Sequence, residues 1–213
     1  MASRPAWTYD RKRVSKCSFE FDWNAGLSVS QKQKNIAALH SAIKRQKGED
    51  ALEISTKSLV EMGRSLSAFN LKLDGVLLEC VYQSSKVFER GGPYLDLLEV
   101  KPKDAKRDER LQTSGKLIGF EYGSDKWPLE PTTAFYDYIY VKSALSQFSA
   151  EELMETLKNY DWFTDIEFNP NKSLNSQARA VALLKSLLMS DALFVLDDRD
   201  TYLTYHKKIV GNA

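Results

Sequence analysis

Apolar and polar residues alternate in three stretches and recur at helical spacing in several others. Phe19, Phe21 and Trp23 alternate with Ser18, Glu20 and Asp22, which predicts a strand with one buried face ending at Asn24-Ala25-Gly26. Phe69, Leu71 and Leu73 alternate in the same way before an Asp74-Gly75 turn, and Leu117, Ile118, Phe120 and Tyr122 predict a third strand before Gly123-Ser124-Asp125. Leu52-Glu53-Ile54 is a candidate short strand, and Thr56-Lys57-Ser58 opens a brief turn or helix. Helical spacing begins after Ser30, a plausible N-cap, where Ile36, Leu39 and Ile43 form a buried stripe that Gly48 terminates. Further helices are predicted from Glu79, over the charged segment Pro102 to Arg110, and from about Thr132, with Phe135, Tyr138, Ile139 and Leu145 inward. Ser149-Ala150-Glu151-Glu152 reads as a capping box for a helix to about Asn159, and Leu174 to Met189 repeats Ala178, Val181, Leu184 and Leu188. The tail beyond Leu196 reads as a closing strand or peripheral cover. The fold class this predicts is α+β, mainly α-helical, a single domain with a small β-sheet formed by the Phe19, Phe69 and Leu117 segments.

Two stretches carry unusual chemistry. In Ser65 to Tyr94, a helix continuing from Glu79 places Glu79, Gln83, Lys86 and Arg90 at i, i+4, i+7 and i+11, a carboxylate, an amide, an amine and a guanidinium on one stripe. The commoner reading of such a stripe is a polar face that makes weak surface pairs. Tyr160 to Gln177 is rich in Asp, Asn, Ser and Pro and reads as a loop, yet it keeps Trp162, Phe163 and Phe168 beside Asp165 and Glu167. Such loops often line sites, although a packed turn held by Asx side chains is the plainer alternative. Asn175 and Arg179 stand one turn apart at the start of the following helix, a position suited to a pyrophosphate.

Composition narrows the choices. The chain of 213 residues, 43% hydrophobic, can bury a core as one domain. With 30 basic against 29 acidic residues there is no global signal for nucleic acid or membrane. Locally, Arg4, Arg11, Lys12, Arg13 and Lys16 interleave with Trp7 and Tyr9, which suits a nucleic-acid grip, though a solvated arm is the more frequent explanation. Cys17 and Cys80 are the only cysteines, and His40 and His206 the only histidines, which excludes a histidine-rich metal site. Neither a spanning apolar run nor a signal-peptide core is present, so a cytoplasmic protein without membrane partners is expected. GxGxxG, P-loop and GxSxG motifs are missing too, and no cofactor is expected. A carboxylate and lysine on one helix, an acidic loop at Asp165 and Glu167, and the Asn/Arg helix start remain, a set able to hold a sugar phosphate and cleave a glycosidic bond.

The phrase LSAFNLKLDGVLLECVYQSSK resembles the signature of the NADAR (YbiA-like) family, an "SNF" segment, a "dG" turn and an "EhyfQxxK" helix, with Ser67, Phe69, Asp74, Gly75, Glu79, Tyr82, Gln83 and Lys86 at the matching places. The later FTDIEFNPNKSLNSQA is similar to the family's "DxxWG...gxNxLG" block through Asp165, Phe168, Asn169 and Asn175. Phe168 stands where the family has tryptophan, Asn169 where it has glycine, and Gln177-Ala178 where it has "LG". The resemblance covers roughly residues 65–190, with 1–64 as an N-terminal extension packed on the same domain and 191–213 as a C-terminal tail. It implies an ADP-ribosyl glycohydrolase that frees guanine in DNA, or in RNA, and acts as antitoxin to a DarT-type ADP-ribosyltransferase encoded nearby. Other members are N-glycosidases of riboflavin-pathway intermediates, and a non-catalytic binder of ADP-ribose or modified nucleic acid is a further alternative. Carried onto this chain, the resemblance implies Lys86, Glu79 and Asp165 as catalytic residues. Ser67, Phe69, Gln83, Phe168, Asn169, Asn175 and Arg179 are then the expected substrate contacts.

Overall fold

The basic N-terminal segment is not a solvated arm but the centre of the largest sheet. In the computed structural model, which describes residues 1–211 apart from 170 and 172, β1 (Ala2–Tyr9) and β2 (Val14–Phe21) pair antiparallel from Ala2↔Phe21 to Tyr9↔Val14. Asp10 closes the hairpin, its Oδ1 accepting the backbone N–H of Lys12 at 3.0 Å and of Arg13 at 2.8 Å. Trp7 and Tyr9 are buried on one face of β1, Arg11, Lys12 and Arg13 are exposed at the turn, and Lys16 is exposed opposite Trp7 on that same face, so the interleaving of rings and cations reflects a hairpin and its turn.

The helix α1 (Val29–Lys47) follows, capped by Ser28 rather than Ser30, since the Ser28 hydroxyl accepts the Gln31 N–H at 3.3 Å. Gly48 ends it at φ 72°, a left-handed conformation that costs glycine little. Then come β3 (Ala51–Glu53), α2 (Glu61–Ser65), and the two-residue strands β4 (Lys72–Leu73) and β5 (Val76–Leu77) around the Asp74-Gly75 turn. Next are α3 (Leu78–Ser84), β6 (Lys86–Phe88), α4 (Pro102–Arg107), α5 (Arg110–Thr113), β7 (Leu117–Tyr122) and β8 (Asp125–Trp127). The chain ends with α6 (Ala134–Leu145), α7 (Ala150–Leu157), β9 (Trp162–Thr164), α8 (Gln177–Met189) and α9 (Arg199–Ile209). No helix among the described residues is long and apolar enough to cross a membrane.

The result is a single α+β domain, mainly helical, but the three alternating stretches do not share one sheet. The strand orders are β2-β1-β9-β3, β4-β5 and β6-β7-β8, which puts the Phe19, Phe69 and Leu117 segments in three separate sheets. Both faces of the four-stranded sheet are covered. Ala6, Phe19 and Trp162 pack on Ile36, Leu39 and Ile43 of α1, while Trp7 and Phe163 join the larger core with Val181, Leu184 and Leu187 of α8. A strand buried on both faces shows weak alternation, which is why β1 and β9 were hard to see in the sequence.

Three other expectations are corrected. Phe69 lies in a turn, 66% exposed, because its strand is confined to Lys72–Leu73. The Glu79 helix stops at Ser84, where the Ser84 and Ser85 hydroxyls both bond back to the Val81 carbonyl and residues 86–88 leave to pair with β7. Finally, the tail is helical: Asp198 caps α9 by accepting the Thr201 N–H at 2.7 Å, and Tyr202, His206 and Ile209 are buried. Residues 212 and 213 of that tail, and 170 and 172 of the acidic loop, lie outside the described residues.

α8 is the central helix, buried from Gln177 to Leu187, so its charged members need partners inside the protein. Arg179 binds Asp137 of α6 through Nε at 3.1 Å and a terminal nitrogen at 2.9 Å, and His206 of α9 meets the same carboxylate at 2.9 Å. Burial pushes the Asp137 carboxyl up, but the Arg179 guanidinium and His206 overcome this and hold it below its ordinary range. The Lys185 ammonium donates to the Tyr160 carbonyl at 2.5 Å.

Candidate active site

The end of β9, the start of α8, and helices α3 and α6 enclose a cavity of about 670 Å³. Each wall is placed by a local feature. The turn at Asp74 (φ 52°) and Gly75 (φ 83°) folds β5 back on β4, and β5 runs directly into α3, which presents Glu79, Tyr82 and Gln83 to the cavity. β9 lies between β1 and β3, and the chain leaving it delivers Asp165 to the opposite side. Ser176 caps α8 by accepting the Arg179 N–H at 3.4 Å, which leaves Asn175 just outside the helix and Gln177 in its first turn, both lining the cavity. Phe69 and Lys106 contribute exposed side chains to the same walls.

Polar groups are joined in two sets. In the first, Gln83 Nε2 donates to Glu79 Oε1 at 2.7 Å, and Lys86 Nζ donates to Gln83 Oε1 at 2.7 Å. Gln83 thus has one end on a carboxylate and the other on an amine. Lys86 belongs to β6, not to the helix, and is not itself part of the lining; its ammonium sits 4.8 Å from the Tyr82 ring centre. Burial lowers the Lys86 pKa and Lys106 adds to this, while the Glu79 carboxylate opposes both.

The second set surrounds Asp165. Its Oδ2 accepts Gln177 Nε2 at 2.8 Å and its Oδ1 accepts the Glu167 N–H at 3.0 Å. Burial, and then the nearby Glu53 carboxylate, push Asp165 up to about 7, and the two hydrogen bonds do not compensate. Across the cavity, burial also raises the Tyr82 hydroxyl, which faces the Asn175 side chain.

Of the residues singled out in the sequence, Phe69, Glu79, Gln83, Asp165 and Asn175 come together here. Ser67 is fully buried beneath this wall, its carbonyl accepting the N–H groups of Asn70 and Leu71. Phe168 and Arg179 instead line a smaller neighbouring cavity of about 300 Å³, where Phe168 meets Trp7 edge to face. Asn169 folds back on its own loop, accepting the Asn171 N–H at 3.0 Å. Arg90 binds the Thr113 carbonyl and lies outside the cavity.

Sequence reasoning missed Gln177, Tyr136 and Glu53. An amide in the first turn of an otherwise apolar helix, and a glutamate inside Leu52-Glu53-Ile54, were the available signals: polar atoms embedded in apolar runs need buried partners. Among the described residues, no group of three or more His, Cys, Asp or Glu side chains is arranged to hold a metal ion.

A family described as DarT1-associated NADAR antitoxin matches residues 2–212. No curated protein matches the chain.

Proposed function

The chain belongs to the DarT1-associated NADAR antitoxin family, and on that footing we propose that it opposes its toxin as an N-glycosidase that removes ADP-ribose from guanine bases of nucleic acid. The observation that carries this reading is Asp165, a buried carboxyl pushed up to about 7, facing a cavity that also holds the Glu79 carboxylate. Two carboxyl groups in unlike surroundings can divide acid and base work between them.

The bond to be broken joins the ribose anomeric carbon to an exocyclic amine and shares that carbon with the ring oxygen. Asp165 gives its proton to the ring oxygen, the carbon–oxygen bond opens, and the guanine nitrogen supplies the electron pair that makes an iminium. As Lys86 leaves Gln83 its ammonium gives a proton to the Glu79 carboxylate; the freed amine adds to the same carbon, and Glu79 relays the proton to the guanine nitrogen. Guanine then departs, leaving a Schiff base on Lys86. Water hydrolyses it and ADP-ribose closes again. Burial favours the neutral, nucleophilic amine that this requires. Gln83 and Asn175 orient ribose hydroxyls, Phe69 packs at the mouth, and Lys106 faces the phosphates. Arg179, held by Asp137, contributes by fixing the Leu174 carbonyl at 2.7 Å beside Asn175.

The test is release of free ADP-ribose from an oligonucleotide carrying ADP-ribosylguanine. Wild type should release it, and Asp165→Asn should be slower by roughly 10²-fold or more. Tight binding without release would establish a binder instead. Turnover of riboflavin-pathway glycosylamines with none on the oligonucleotide would move the substrate to small molecules.

A further inference from the structure

Glu53 is a wholly buried carboxylate, 1% exposed, that the reaction above does not use. Its position follows from strand pairing. β3 and β9 run parallel with Glu53 beside Thr164, and the Ile54 N–H donates to the Thr164 carbonyl at 2.8 Å. Side chains at that register meet the chain where it leaves β9, one residue before Asp165. Three donors fix the carboxylate: Ser55 Oγ at 2.7 Å and the Ile166 N–H at 2.9 Å on Oε1, and Thr164 Oγ1 at 2.6 Å on Oε2. Thr164 is backed in turn by His40 Nε2 at 2.8 Å. With its hydroxyl proton committed to Glu53, Thr164 accepts from the imidazole.

Asp165 is 6% exposed and close enough to feel Glu53 as a like charge. The two carboxyl groups are not served alike. Asp165 has one backbone and one amide donor, whereas Glu53 has three donors on its two oxygens. Two buried like charges strongly resist ionising together, so one proton is retained by the pair. Burial pushes the Glu53 carboxyl up as well, but the Ile166, Thr164 and Ser55 donors oppose this, and the better-supplied carboxylate keeps the negative charge.

We propose that Glu53 is a positioning residue for the reaction, holding the proton of this buried pair on Asp165, where the cavity can use it. This rests on Asp165 acting as the acid. The other groups around Asp165 do not replace Glu53. Glu167 in the same turn is a further carboxylate, but exposed; Tyr136 and Tyr140 of α6 are neutral phenols, kept so by burial; Glu79 stands on α3; and His40 of α1 reaches the pair only through Thr164, its imidazole held neutral by burial down to about 4.

Glu53→Gln removes the charge with the least change of shape: its amide oxygen can still accept from Ser55 and Ile166, and its NH2 replaces the oxygen that accepted from the Thr164 hydroxyl. Carboxyl-carbon NMR of the ligand-free protein should show the Asp165 midpoint falling by about one unit or more in the variant. In wild type the Glu53 and Asp165 signals should each record both protonation steps, a readout that needs no variant to fold. In turnover assays, the basic limb of the kcat/KM profile should move to lower pH by the same shift. An unmoved Asp165 midpoint in folded Glu53→Gln, or independent single-step curves in wild type, overturns the proposal. If NMR shows the coupling but wild type turns over no glycosidic substrate, the catalytic reading fails and takes the positioning role with it. A coupling present with turnover but an unmoved basic limb rejects Glu53 alone.

Discussion

Gln177 Nε2 donates to Asp165 Oδ2 at 2.8 Å while Gln177 Oε1 accepts the Ala68 N–H at 2.7 Å. The backbone N–H can only donate, so it fixes which end of the amide faces Asp165. One side chain therefore ties the loop behind Phe69 to the acid, across 109 positions of sequence. Tyr140 holds the same loop by donating to the Leu66 carbonyl.

Removing this bridge with Gln177→Leu leaves the Ala68 N–H unpaired and takes a donor from Asp165. Stability should fall by about 1–3 kcal/mol in urea unfolding at pH 5. Because that donor favours the charged form, the Asp165 midpoint should rise above its wild-type value of about 7. A midpoint that stays or falls would show that Gln177 does not govern the acid.

The raised carboxyl has a thermodynamic signature. Asp165 goes from an ordinary carboxyl in the unfolded chain to about 7 in the folded one, so the folded state binds the proton more tightly. Its contribution to stability is fully present below about pH 4 and is lost as pH rises through 7. Asp165→Asn keeps an acceptor for Gln177 but carries no charge. The variant should be more stable than wild type at pH 8, by up to about 4 kcal/mol, with the gain disappearing near pH 4. Equal stability of the two proteins at pH 8 would rule out a strained acid.

How much of this was legible in the sequence depended on whether a signal was local. The Asp74-Gly75 turn, the Glu79–Gln83 spacing and the Ser149 capping box are contained in a few adjacent residues, and all three are present. The capping box is complete, with Glu152 accepting the Ser149 N–H at 2.8 Å. Helical spacing places Lys86 on the Gln83 stripe; the two do meet, but Lys86 comes from β6 and not from the helix. What stayed hidden depends on distant pairing. Nothing near Glu53 indicates that Thr164 and Ile166 will bond to it, and nothing near Arg179 indicates Asp137. A cation at a helix start suits a phosphate and a buried carboxylate equally well, and tertiary packing decided between them. Within the basic hairpin, β2 keeps its alternation at Phe19 and Phe21, but β1, buried on both faces over Pro5 to Trp7, has none to show.

The Asp137–Arg179–His206 cluster joins α6, α8 and α9 and gives the Arg179 guanidinium a partner. Asp137→Asn leaves that cation buried without a counter-charge. The expected cost is about 3–5 kcal/mol, read from chemical unfolding at pH 7. Since the wild-type carboxyl is held below its ordinary range, its contribution is present above about pH 4 and is lost as pH falls through the folded value. The gap between variant and wild type should therefore narrow in acid. A change under 1 kcal/mol at pH 7 would mean the cluster is not a structural tie.

In the proposed reaction, Lys86 is the group that would decide how the glycosidic bond is broken. Its ammonium is 2.7 Å from Gln83 Oε1, and Gln83 in turn holds Glu79, so the resting amine is one hydrogen bond behind the cavity wall. A substrate hydroxyl that takes over Gln83 would free the amine, and burial has already reduced the cost of losing its proton. Borohydride added during turnover should reduce the Schiff base and leave ADP-ribose fixed to Lys86, identified by peptide mass. Lys86→Met should lose both the adduct and at least about 10²-fold in kcat. Gln83→Leu, by contrast, should keep the adduct and lose mainly in KM, since its part is to hold the amine and ribose in place. If no adduct forms and Lys86→Ala still turns over, the amine is not the nucleophile. Asp165 would then act with a water activated by Glu79, on a carbon that never bonds to the protein.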